Sequence, residues 1–149
     1  MSSLEDLIWI TKGKSVIDVS IYFYVDPEVT KISAIMKRQD ETYVELGLVE
    51  HRLDSRWSIP SRAEMESYKK ESAIYNFQSG QLMVNELLLS DCVISYHLEM
   101  LLFDGTEVVL ERDSDGKLEP GALERLKSLH SGLYDTLYNK YCVEACIPT

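Results

Sequence analysis

The sequence predicts an α+β fold: one domain over residues 1–149, built on a mostly antiparallel twisted sheet that ends in a C-terminal meander. Helices pack mainly on one face, and a long helix closes the chain. Three observations predict it. Ser15–Val25, Thr42–Leu53 and Cys92–Phe103 alternate apolar and polar residues with the period of strands. Two helix signals stand among them, the capping-box pattern Ser61-Arg62-Ala63-Glu64 and a leucine stripe after Pro120. The 149 residues, 45% apolar and 27% charged, suit one globule that buries roughly 70% of its unfolded surface.

In chain order, Ser3 is placed to cap a short helix over 3–12 with Leu4, Leu7 and Ile8 inward, although a strand over Leu7–Thr11 competes. Ser15–Val25 is a strand with Ile17, Val19, Ile21, Phe23 and Val25 on one face and Asp18, Ser20, Tyr22 and Tyr24 on the other. Asp26-Pro27-Glu28 has the form of a helix start, and Val29, Ile32, Ile35 and Met36 keep helical spacing. A helix over 27–38 is therefore expected, with a strand over 30–37 as the alternative. Thr42–Leu53 is a strand, with Val44, Leu46 and Leu48 on one face, and Asp54–Pro60 a loop. The capped helix runs over about 61–72 with a thin apolar face of Ala63, Met65 and Tyr68. Ala73–Gln78 is a short strand and Ser79-Gly80 a turn.

Leu82–Arg112 is the most apolar stretch and is expected to form the middle of the sheet. It turns at Ser90-Asp91, runs as a strand over Cys92–Phe103, and returns over Thr106–Arg112. A two-residue turn at Asp104-Gly105 would set Leu102 against Glu107 and Leu98 against Glu111. A three-residue loop, Phe103–Gly105, sets Met100 against Val108 and Leu98 against Leu110, so the apolar pattern favours three residues. It leaves His97, Glu99, Glu107 and Glu111 on the outer face. Pro120 then opens a helix to about Cys142, with Leu123, Leu126, Leu129, Leu133 and Leu137 as its stripe and Tyr134, Tyr138 and Tyr141 beside it. Residues from about 143 to 149 are expected to be a loose tail.

The net charge is −10, and Glu86–Glu124 holds ten acids against two bases. Such a field repels nucleic acid and anionic membrane and attracts basic proteins. There is no apolar run near the length of a membrane span and no basic leader at the N-terminus. The odd count of three cysteines and the lack of CxxC point to free thiols in a reducing, cytoplasmic setting.

Four constellations invite chemistry. Glu111–Ala122 has acids at the first, third and fifth positions of a calcium loop, but Ala122 stands where the bidentate acid belongs, so a strand-to-helix turn explains it better. Arg52, Arg56, Trp57 and Arg62 lead into a capped helix start and could hold an anion, against a plain reading of paired arginines and a packed indole. His97 is expected beside Glu99 and Glu111 in a solvated cross-strand pair that keeps its proton to higher pH. Nine tyrosines, among them Tyr22 and Tyr24 on the outer face of a strand, suit an interface. No histidine or cysteine spacing suits a metal, and no glycine-rich phosphate loop or serine elbow stands in the chain, so neither cofactor nor catalysis is expected.

These features favour a non-enzymatic, acidic protein-binding module. The expected surface is His97, Glu99, Glu107, Glu111, Asp113 and Asp115, with Tyr22 and Tyr24, meeting a basic partner. In charge and size the chain is similar to the immunity proteins that bacteria keep against nuclease toxins; no motif carries that analogy. A homodimeric acidic secretion chaperone for an effector is one alternative, and a small enzyme or anion-binding domain at Arg56/Trp57 another; monomer and dimer remain open.

Overall fold

The computed structural model describes residues 3–6, 16–28, 31–36, 47–129, 131–145 and 147, with the backbone alone at 31–36 and 131. After a helical turn at 4–6, whose Ser3 hydroxyl accepts from the Asp6 amide, the elements are β1 (Val16–Asp26), β2 (Lys31–Met36), β3 (Val49–Ser58), α1 (Arg62–Glu71), β4 (Ala73–Asn76) and β5 (Gln81–Val84). There follow α2 (Glu86–His97), β6 (Leu98–Phe103), β7 (Thr106–Glu107), α3 (Pro120–Lys127) and α4 (Ser131–Glu144). One antiparallel sheet has the order β2-β1-β3-β6-β7, and β4 and β5 pair apart from it. The α+β class is as expected.

The alternation of β1 carries through to the packing. Val19, Ile21 and Phe23 are buried beside Leu53 and Trp57 of β3 and Leu98 and Leu101 of β6, while Asp18, Ser20 and Tyr22 face outward. The helices close this face with Leu126 of α3, Leu133, Leu137 and Tyr141 of α4, and Leu89 and Val93 of α2. Trp57 stacks on Tyr141 at 4.1 Å between centroids.

Several expectations are corrected. The chain after Asp26 is a strand over Lys31–Met36, paired antiparallel with β1, and not a helix. The Asp26 carboxylate accepts from the Glu28 amide, a bond that opens a helix or a turn equally well. β-branched residues in reach of an unpaired strand then decide for the sheet. β3 continues through Asp54–Ser58, expected as a loop, because sheet neighbours satisfy its polar side chains. Asp54 accepts from Ser20 and Arg52, and the Ser55 hydroxyl donates to the Val19 carbonyl while accepting from the Trp57 indole. The strand residues expected at 42–46, and the N-terminal segment 7–12, lie outside the described residues.

The largest correction falls in Leu82–Arg112. Glu86–His97 is a helix, Asn85 is its N-cap, and the supposed turn at Ser90-Asp91 lies inside it. An all-round apolar segment satisfies period two and period 3.6 alike, and its twelve-residue length favours a helix. The β6–β7 hairpin has a two-residue turn: Phe103 pairs with Thr106 and Leu102 with Glu107. Asp104 and Gly105 both take positive φ, +47° and +85°, the backbone of a type I′ turn. The expected three-residue loop assumes that Leu98, Met100 and Leu102 share the buried face, and they do not. A register shift in the β3–β6 pairing brings both Leu98 and Leu101 inward, so Leu102 and Glu107 meet on the outer face at no cost to the core.

The C-terminal leucine stripe spans two helices, not one. The Ser128 amide reaches back to the Glu124 and Arg125 carbonyls and its hydroxyl caps the Arg125 carbonyl, closing α3. The tail is not loose where it is described: α4 runs to Glu144, and the Ile147 amide bonds to the Cys142 carbonyl with its side chain in the core. The capping box on α1 and the β4–β5 turn follow expectation.

Candidate binding surface

The acidic stretch forms an edge. After β7 the chain runs back along β6: the Val108 amide donates to the Leu101 carbonyl, and farther on Arg112 donates to the Leu98 carbonyl. Glu107, Glu111 and Asp113 therefore follow one another along the outside of β6, and Glu99 stands next to Leu98 at its start. All four are exposed, as is Asp115. Arg112, the base within the run, is directed into the backbone, bonding Gly116 as well as Leu98. Arg125 of α3 pairs with Glu111.

Glu111–Glu119 folds into a tight loop docked on α2. Leu118 donates to the Ser95 carbonyl, and Arg112 and Leu118 bridge. The calcium-like letters have a structural use: one oxygen of Asp113 accepts from both the Asp115 and Lys117 amides. Among the described residues no group of three or more His, Cys, Asp or Glu side chains is disposed to hold a metal ion.

Beside this edge lies an apolar cleft of about 360 Å³. β1, β3 and β6 contribute Phe23, Leu53, Leu101 and Phe103; the edge contributes Val108–Leu110; α3 and α4 close it with Leu126 and Leu133. Phe103, Val108 and Val109 stay exposed at its rim. Phe23, His51 and Phe103 form a stack there, and the Asp104 carboxylate holds His51 at 2.7 Å and the Arg52 amide at 2.7 Å. Partial burial pushes the Asp104 carboxyl up, but these donors outweigh it and leave it below the usual range. This cleft is not among the sites the sequence suggests; the one signal for it is the Val108-Val109 pair, exposed after β7 where, among the described residues, no further strand pairs.

Two residues expected on the surface are inside. Tyr24 is fully buried, its hydroxyl bonded to Glu50. His97 is 4% exposed and ends α2. Ser58 Oγ lies 2.8 Å from its Nδ1, Tyr68 Oη 2.8 Å from its Nε2, and Tyr68 also donates to Glu64. Donor accounting gives one consistent chain: Ser58 donates to a neutral ring, the ring donates to Tyr68, and Tyr68 donates to Glu64. Burial lowers the His97 pKa, with Glu64 opposing, the reverse of the expected solvated pair. The set has the ingredients of a serine–histidine pair, yet both ring nitrogens are engaged within the core, so it ties β3, α1 and α2 together.

Tyr22 is half-buried on the outer sheet face, two strands from the acidic edge. The supposed anion cluster divides. Arg52 and Arg56 lie on the outer face paired with Asp54 and Asp18, Trp57 lies in the core, and Arg62 pairs with Glu66 on α1. The chain matches no protein-family model, no curated protein and no solved structure. Among the described residues, no helix is long and apolar enough to cross a membrane.

Proposed function

We propose that the protein is a non-enzymatic binding module, an inhibitor of immunity-protein type that masks a basic partner such as a nuclease toxin. The observation that carries this reading is the acidic edge of Glu99, Glu107, Glu111, Asp113 and Asp115 running beside an apolar cleft whose rim residues Phe103, Val108 and Val109 are exposed. The acids attract a basic surface over roughly a Debye length, about 8–10 Å at physiological salt, and set the rate and orientation of encounter. The cleft then accepts apolar side chains of the partner, which gives the complex its lifetime.

The test uses two immobilised baits, the wild type and the triple variant Glu107→Lys/Glu111→Lys/Asp113→Lys, with retained proteins identified by mass spectrometry. The expected result is a protein of basic pI held by the wild type, eluted by salt, and lost from the variant. Equal retention by both baits would show that the edge is not the interface.

A further inference from the structure

The β4–β5 hairpin stands outside the main sheet, and apolar residues occupy both its faces. Tyr75 and Leu82 pair on one side and Ile74 and Met83 on the other, with Phe77 in the turn. Together with Val84 of β5 and Leu87 and Leu88 of α2 they are between 38 and 89% exposed. At about 200 Å² for a large side chain, they present roughly 900 Å² per chain. Divided between the two faces of the hairpin, that is about the size of the apolar patch an ordinary monomer shows on each face, about 300–600 Å², and the two faces together approach what one partner gives to a standard interface, about 800 Å².

The run Ala73–Asn85 contains no charged residue, in a chain whose net charge is −10. The nearest acids, Glu71 and Glu86, flank the run at its two ends and leave the strands themselves uncharged. A basic partner finds few counter-charges there, and another chain as acidic as this one meets less like charge along the β5 edge than along the acidic edge. All four residues of β5 are exposed, and among the described residues no strand pairs with its outer edge. A lone two-stranded hairpin is marginal in water, and two of them joined edge to edge make a four-stranded sheet.

We propose that a second copy of this chain docks here, β5 against β5 of its partner, antiparallel about a twofold axis. Side chains alternate between faces, and a twofold axis perpendicular to the sheet keeps each face on its own side. The strands must therefore pair a residue with itself or with one an even number of positions away. Leu82 or Met83 then stands opposite its own copy.

The experiment is light scattering and sedimentation over a wide concentration range on the full chain, with Leu82→Glu and Phe77→Ser, and mild oxidation of Leu82→Cys and Met83→Cys. These side chains are exposed, and far-UV circular dichroism checks that each variant keeps its fold. The wild type is expected to be a dimer, Leu82→Glu to weaken it at least tenfold, and one cysteine variant to cross-link to itself. A monomer at every concentration, or a dimer indifferent to Leu82→Glu, overturns the proposal. A monomer that binds a reduced, carboxymethylated polypeptide through this hairpin also overturns it, and assigns the surface to an extended apolar client. None of these variants touches the acidic edge, so failure here leaves the proposed function standing.

Discussion

His97 shows how much one side chain settles. Its ring joins Ser58 at the end of β3, Tyr68 in α1 and the C-terminus of α2. Tyr68→Phe removes the acceptor for Nε2–H and leaves a buried donor unpaired, at a cost of about 1–3 kcal/mol in urea unfolding. A variant as stable as wild type would mean that the bond carries no weight. Acid should act through the same ring. Burial holds its pKa below the ordinary 6.5, so the unfolded chain takes up the proton more readily. Stability is therefore full above pH 6.5 and falls as the pH drops below it, until the folded ring itself titrates. Glu64 also has a folded pKa below its ordinary 4.5: partial burial raises it, but bonds from Ser61 prevail, so its loss of stability falls at lower pH. The urea midpoint of the wild type should drop between about pH 7 and pH 5.5, and that of His97→Gln should drop less. Equal slopes would place the titration elsewhere.

At the scale of elements, caps and turns decide boundaries that periodicity leaves open. Asn85 caps α2 by accepting from the Leu88 amide. Asn85→Ala should cost about 1 kcal/mol, read as a lower thermal midpoint, if that cap sets where the helix begins. The β6–β7 turn depends on Gly105 at φ +85°, where an added Cβ would meet nothing within 4 Å. The cost of Gly105→Ala is therefore backbone strain and not a clash, about 1–2 kcal/mol. An unchanged stability would mean that Gly105 does not need its left-handed backbone to close the turn. The division between α3 and α4 is of the same kind: leucines at helical spacing run through the break, and Ser128 makes it.

At the scale of the molecule, one core joins the sheet to α1, α2, α3 and α4 and reaches Ile147. Ile147 belongs to it, so Ile147→Ala should cost about 2 kcal/mol, the low end for such truncations because the site lies near the surface. No loss in a denaturant series would restore the loose tail. The same architecture separates two surfaces of opposite character. The acidic edge and its cleft lie at the β7 side of the main sheet, and the uncharged hairpin stands apart from it.

What depends on neighbours along the chain can be read from the residues alone. The faces of β1, the capping box at Ser61, the β4–β5 turn and the concentration of acid after Glu86 were all legible, because alternation, capping and charge act locally. The acids Glu99, Glu107, Glu111, Asp113 and Asp115 were also correctly read as exposed. The rest depends on contacts between elements distant in the chain. Period two in Cys92–His97 was real in the letters but lost to a buried helix, since an apolar residue contributes the same burial in either conformation. The shift at Glu99 that turned Leu102 outward depends on β3 lying alongside. Tyr24 and His97 look like surface residues in sequence, and their partners come from other elements. The cleft is lined jointly by the sheet, the edge after β7 and two helices, and among the described residues the hairpin pairs apart from the main sheet with its apolar side chains exposed.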